Sequence, residues 1–171
     1  MGRPLSADEV GPRLRARFGD DVQVADAFGH PVAVVPPASY HEVIRFLRDE
    51  PEFACDFCDF TTAVDLGPER GFEVVTHLFS TEHHHNVRVK VPLPHEEPAV
   101  DTLSDLFPTC DWHEREMMEM FGVEVKGHPR PVKLLLSELF EGHPLRKDFP
   151  LMSREVKPWP GATEGEEDEE E

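Results

Sequence analysis

The sequence predicts an α+β domain: a two-layer arrangement with a mixed β-sheet covered on one face by helices, in the order α-β-β-α-β-β-β, then a short helix and an extended C-terminal arm. Three observations carry that expectation. Val87-Arg88-Val89-Lys90-Val91 alternates with the two-residue period of a half-buried strand. Tyr40, Val43, Ile44 and Leu47 recur instead with the helical period and make one apolar face. Seventeen prolines in 171 residues, about twice the usual share, favour long extended segments over a tight helical bundle.

The elements follow in order. Ser6 to Phe18 reads as the first helix, with Ser6 and Glu9 at capping-box spacing and Val10, Leu14 and Phe18 four apart. Val22 to Phe28 and Pro31 to Val35 read as two strands around a Gly29-His30 turn. Pro36-Pro37 ends the second strand, and Ser39, with Glu42 three on, caps a helix to Asp49. A strand is expected around Phe60 to Val64, then strands over Phe72 to Ser80 and Asn86 to Pro92 joined by a hairpin loop at Thr81 to His85. Asp101 to Pro108 is a connector with helical character. Trp112 to Phe121 reads as a short helix with Asp111 as N-cap, Glu114 at capping-box spacing and Gly122 as a left-handed terminator.

Beyond Gly122 the chain is punctuated by Pro129, Pro131, Pro144 and Pro150, each of which removes a backbone donor and favours extended geometry before it. The same stretch carries Leu134, Leu135, Leu136, Leu139, Phe140 and Phe149. That is too much apolar surface to leave in water and too little regular structure to bury on itself. The arm must lie along something else, its own domain or a partner. The expected division is an α+β domain over residues 1–108, the helix and arm over 109–151 and an acidic tail over 152–171, disordered at least from Gly161.

The formal charge of −18 disfavours a general nucleic-acid or anionic-lipid role, because removing the seven acids of the tail still leaves −11. No apolar run is long enough for a transmembrane helix, and the first ten residues lack an apolar signal core. Three cysteines fit a reducing compartment better than a disulfide framework. The expected place is the cytosol, or the cytosolic side of a membrane as a peripheral protein.

Candidate chemistry is sparse. Cys55 and Cys58 have metal half-site spacing, and His77 or the triplet His83, His84 and His85 would have to complete the shell. The competing reading is two small buried thiols and a polar hairpin tip. Three thiols are too few for an iron–sulfur cluster held by this chain alone. Glu114 and Glu116 resemble paired carboxylates, but two helical steps of 100° point them about 160° apart. They read as a solvated charged turn or, with Arg115, as charges meeting a partner. No nucleophile elbow, P-loop or dinucleotide fingerprint is present.

One family draws these pieces together. Trp112 with Glu114-Arg115-Glu116, Phe121-Gly122, Gly127-His128-Pro129 and the run Gly142-His143-Pro144-Leu145-Arg146-Lys147-Asp148-Phe149-Pro150-Leu151 resemble the C subunit of respiratory complex I, the proton-pumping NADH-quinone oxidoreductase. This is the 30 kDa subunit family. Ala63-Val64-Asp65, Phe72-Glu73-Val74-Val75 and His77-Leu78 resemble it too, so the likeness spans Ser39 to Leu151. The departures are Glu119 for the usual Asp, Val123 and Val125 for Ile and Phe, Arg130 to Lys133, and Phe140 for Trp.

The resemblance implies a non-catalytic peripheral-arm subunit, inactive alone, on the cytoplasmic side of a membrane complex. It implies the quinone-site D subunit and the iron–sulfur B and I subunits as partners. The iron–sulfur clusters, flavin and quinone would belong to those partners and none to this chain. All the residues of the run from Trp112 to Pro150 just quoted become candidate interface positions. The alternatives are the equivalent subunit of a membrane-bound nickel–iron hydrogenase or another complex-I-like oxidoreductase. A freestanding metal-binding domain using Cys55, Cys58 and the histidine triplet is a reading of a different class.

Overall fold

The computed structural model describes residues 4–150; the acidic tail and Leu151 lie outside the described residues. Helix α1 (Ala7–Phe18) opens the fold, followed by β1 (Gln23–Ala27), β2 (His30–Val34) and α2 (Tyr40–Asp49). Strands β3 (Phe57–Asp65), β4 (Phe72–Phe79) and β5 (Asn86–Leu93) come next, then the short β6 (Ala99–Asp101), α3 (Cys110–Phe121) and the short β7 (Glu124–Lys126). The main sheet has the order β1-β2-β5-β4-β3. It is mixed: β2 and β5 run parallel, and its other neighbours run antiparallel.

Register sorts the side chains into two faces. Ala33, Val89, Thr76 and Thr61 fall in line across four strands, and Val91, Val74 and Ala63 across three. These positions are buried beneath the helices with Val10, Leu14, Ile44, Leu47 and Met117. Burying one such aliphatic side chain stabilises the fold by about 1.5–3 kcal/mol, so the stacked rows dominate cohesion. Arg88 and Lys90 point to the other face, where Lys90 Nζ donates to Glu73 Oε1 at 2.7 Å. That face is less covered, with Phe60 stacked on His77 at 5.5 Å and Val64 exposed.

Several boundaries differ from expectation. The first hairpin turns at Phe28-Gly29, both at positive φ, and His30 already belongs to β2. A two-residue turn of that kind matches the twist of the paired strands. Ser39 makes no side-chain cap; a turn of 3₁₀ helix, Pro37–Ser39, leads into α2. Strand β3 begins three residues before Phe60, because a bulge between Cys58 and Phe60 breaks its alternation. Helix α3 begins at Cys110, so Asp111 lies inside its first turn and does not cap it. Glu114 does not close a capping box, because its carboxylate is engaged by the connector before the helix. The parallel pair β6–β7 was not foreseen; three-residue strands carry no readable period.

Candidate docking surface: α3 and the arm it holds

Helix α3 packs on β3 and turns two faces to different tasks. One face is buried in the domain. Glu114, 1% exposed, accepts from Leu103 N at 2.5 Å and from Thr102 Oγ1 at 2.6 Å. Burial pushes its carboxyl above the ordinary value; those two donors and the nearby His128 ring oppose this only in part. Glu116 is exposed on the other side. The two acids therefore form no shared site, as their angular separation requires.

The arm lies along α3, not free in water. Arg115, buried, donates from Nε to Val132 O at 2.9 Å and from Nη2 to Lys133 O at 3.0 Å. One turn on, Glu119 Oε2 accepts from the amides of Leu134 and Leu135, both at 3.0 Å, and Oε1 accepts from Leu136 N. Burial alone would raise the Glu119 carboxyl, but the three amides and Lys133 leave it below the ordinary range. Lys133 Nζ turns back to the Phe140 carbonyl at 2.6 Å and closes the loop between them.

The two Gly-His-Pro tripeptides act as pins. His128 is buried; its Nε2–H donates to Asp111 O at 3.1 Å, and its Nδ1 accepts from Arg130 N at 3.0 Å. Those partners define the ring's tautomer. His143 Nδ1–H donates to Glu119 O at 2.9 Å, and Leu145 N donates to Met120 O at 3.1 Å. Gly122 ends α3 at φ +73°, and a Cβ there would stand 2.7 Å from the His143 ring. Phe121 is buried beside it, while Gly127 makes a second left-handed turn and Pro129 lies exposed.

The last stretch reaches the far end of the sheet. Arg146 forks onto Asp148 at 2.9 and 3.1 Å and lies over the Phe72 ring at 5.2 Å, with His95 stacked on the same ring. Lys147 donates through its backbone amide to Asp65 Oδ2 at 2.7 Å. Phe149 stacks on Phe140 at 5.9 Å, closed over Gly142, with the half-buried Pro144 and the exposed Pro150 on either side of this segment.

The outer side of α3 and its arm exposes a set of apolar side chains. Trp112 is 63% exposed, Leu135 62%, Leu139 92%, Leu145 54% and Val132 52%. A groove of about 600 Å³ runs beside them, lined by Pro108, Thr109, Trp112, His113, Glu116, Leu134 and Leu135. His113 Nδ1 has no hydrogen-bond partner among the described residues.

The site residues expected from sequence include the arm's own but omit Glu119, Lys133, Asp65, Phe72 and His95. Glu119 was findable: it lies four residues after Arg115, on the same helical face. Asp65, Phe72 and His95 come from distant strands and loops, and no local spacing points to them.

The metal half-site does not assemble. Cys58 lies 3.6 Å from Cys110, whereas Cys55 lies 3.9 Å from His85. His83 Nε2 is spent on Pro51 O at 2.8 Å. Among the described residues no cluster of three or more His, Cys, Asp or Glu is placed to hold a metal ion. Among them, too, no helix is long and apolar enough to cross a membrane.

Comparison with known proteins agrees with this architecture. Residues 33–155 match the family model described as the respiratory-chain NADH dehydrogenase 30 Kd subunit. The chain is 42% identical over 154 residues to the NADH-quinone oxidoreductase C subunit of Roseiflexus castenholzii, covering 89% of this chain and 88% of that one. It is 35% identical over 163 residues to the NADH-quinone oxidoreductase C/D subunit of Methylococcus capsulatus, covering 90% of this chain but 28% of that longer protein. Two solved structures share the fold. A trypsin-resistant fragment of Nqo5 superposes with a TM-score of 0.59 at 24% identity, over 70% of this chain and 94% of the fragment. A chain of the membrane-bound sulfane sulfur reductase, an archaeal respiratory membrane complex, superposes with a TM-score of 0.72 at 22% identity, over 85% and 86%. By the family match and the 42% identity, the chain belongs to the 30 kDa subunit family of respiratory-chain NADH dehydrogenase, complex I.

Proposed function

We propose that this chain is a non-catalytic peripheral-arm subunit of an NADH-quinone oxidoreductase, and that the outer side of α3 and its arm docks on the quinone-site D subunit. The observation that carries the reading is the exposed row Trp112, Val132, Leu135, Leu139 and Leu145 on a backbone held rigid by Arg115 and Glu119. Rigid apolar side chains beside a groove lose little freedom on binding, which is what a stable interface needs. A fixed seat on that partner would hold the quinone site steady relative to the iron–sulfur B and I subunits. Flavin, clusters and quinone belong to the partners in this reading, and electrons pass from NADH through them. The protein sits peripherally on the cytoplasmic side of the membrane.

The match of this chain to part of a longer C/D protein supports the choice of the quinone-site partner, because fused chains are commonly neighbours. The likeness to a sulfane sulfur reductase chain favours a second reading, the equivalent position in a sister complex with another electron donor such as a membrane-bound hydrogenase. The higher identity to NADH-quinone oxidoreductase subunits favours the first.

An affinity pull-down at low detergent tests both. The tagged wild-type chain should bring down the quinone-site and iron–sulfur subunits in equal amounts, and Leu135→Asp with Leu139→Asp should lose them. Recovery of the same partners by the double variant overturns the docking surface. The identity of the co-purified electron-input subunits separates the two readings.

A further inference from the structure

Beneath the residues that line the groove, two thiols distant in sequence meet in the core. Cys58 lies near the start of β3, and Cys110 is the first residue of α3. Both are buried, with their Sγ atoms 3.6 Å apart. Thr61 Oγ1 lies 3.8 Å from the first sulfur and 3.9 Å from the second. It continues to Thr76 at 3.2 Å, and Thr76 to the Tyr40 hydroxyl at 2.5 Å. The dithiol therefore ends a chain of hydroxyls that crosses the core.

The three cysteines differ in character. The Cys110 S–H aimed at Cys58 lowers the Cys58 thiol, burial opposes, and the Thr61 hydroxyl adds to the lowering. The same contact drives Cys110 up, since its proton is the one being shared. Burial pushes Cys55 up to about 12. The lowered thiol is Cys58, with the Cys110 sulfur 3.6 Å away.

A disulfide needs sulfurs about 2.0 Å apart, so the pair must close by roughly 1.5 Å. Each cysteine sits at an irregular end of its element. The strand register shifts between Cys58 and Phe60, and the first turn of α3 has no side-chain cap. Closure of the pair and entry of a small oxidant require a local opening of these two element ends.

We propose that Cys58 and Cys110 are an oxidant-sensitive modification site, which a hydroperoxide converts into an internal disulfide stapling α3 to β3. The Cys58 thiolate attacks a peroxide oxygen, the O–O bond breaks, and the departing hydroxide takes a proton and leaves as water. Cys58 is then a sulfenic acid. The Cys110 sulfur attacks that sulfur, the S–S bond forms, the S–O bond breaks, and the hydroxide leaves with the Cys110 proton as a second water. Two thiols lose two electrons and two protons, and one hydrogen peroxide becomes two waters. The staple holds the helix that carries Arg115 and Glu119, the arm's two anchors.

The test treats the reduced full-length chain with graded hydrogen peroxide and follows intact mass, peptide map and melting. The mass should fall by two hydrogens, with a peptide linking Cys58 to Cys110 and Cys55 alkylated as a free thiol after denaturation. Melting should rise by about 10 °C, the scale expected for a bridge across a loop of this length in a chain of this size, and a dithiol reductant should reverse both changes. Cys55→Ser should behave as wild type. Cys110→Ser should lose the linked peptide and leave Cys58 as a sulfenic acid captured by a cyclic dione. Three free thiols at peroxide levels that oxidise an exposed thiol peptide overturn the proposal, as does a bridge through Cys55 or between chains. The wild-type peptide map decides the pairing even where Cys110→Ser does not fold.

Discussion

Arg115 and Glu119 stand one turn apart on one face of α3 and grip consecutive backbone of the arm with opposite polarity. Arg115 donates to two carbonyls, and Glu119 accepts from the next three amides. A charged hydrogen bond of this kind contributes about 1.5–3 kcal/mol. Glu119→Ala should therefore raise hydrogen exchange at Leu134, Leu135 and Leu136 by about 100-fold while β4 stays protected. Unchanged exchange at those amides would show that the arm is held some other way.

Acid should release the arm early. Glu119 and Asp65 each feel burial raising their carboxyls, yet the arm amides they bind, with nearby positive charge, leave both lowered. Such groups stabilise docking fully above their free values, about 4.3 for Glu and 3.9 for Asp, and the contribution fades as pH falls through the lower docked values. Glu114, raised by burial, has the opposite sign and adds nothing to acid release. Exchange measured on acidification should show the arm losing protection before β4. In Glu119→Gln that pH dependence should flatten; a wild-type profile in that variant counts against the assignment.

Gly122→Ala confronts both backbone and neighbour. The left-handed conformation costs a non-glycine residue about 1–2 kcal/mol, and the new methyl would press the His143 ring. The ring cannot retreat without losing its bond to Glu119 O. Melting should fall by about 4 °C or more, and the His143 ring resonances should move. A variant with wild-type melting and unmoved resonances would contradict this close approach.

Trp112 separates folding from docking. Its side chain is largely in solvent, so Trp112→Ala should alter chain stability by no more than about 0.5 kcal/mol. As an interface anchor it should cost about 2 kcal/mol or more of binding, roughly a 30-fold loss in affinity for the partner subunits. Equal co-purification by variant and wild type would remove Trp112 from the docking surface.

Arg115→Ala and Arg146→Ala should lower the yield of assembled complex and leave turnover per assembled complex unchanged. Arg115 holds two arm carbonyls; Arg146 joins Asp148, Phe72 and His95 at the arm's far end. Arg115→Lys should rescue only part of the yield, because an ammonium lacks the planar fork. A full-size complex on native gels with reduced turnover would instead place these residues near the chemistry.

Much of the architecture was legible before any coordinates. The alternation of Val87, Val89 and Val91 and the helical face of Tyr40, Val43, Ile44 and Leu47 are local periods, and the structure buries all seven side chains. The family was legible too, because rare tripeptides in order need no three-dimensional context to be matched. The capping readings at Ser39 and Asp111 failed for different local reasons: a 3₁₀ turn already carries Ser39 in helical geometry, and α3 begins at Cys110, before Asp111. A side chain with capping spacing has other suitors, and for Glu114 the connector at Thr102 and Leu103 competed successfully.

Periodicity and composition alone determined that this chain has a one-sided sheet, two well-formed amphipathic helices and a proline-broken arm too apolar to stand in water, since each follows from neighbours a few residues apart. Which side of the arm faces inward was decided only by the tertiary structure. Asp65 meets Lys147 across 82 residues, and Cys58 meets Cys110 across 52. Contacts at that range are set by how whole layers stack, and residue spacing along the chain carries no record of them.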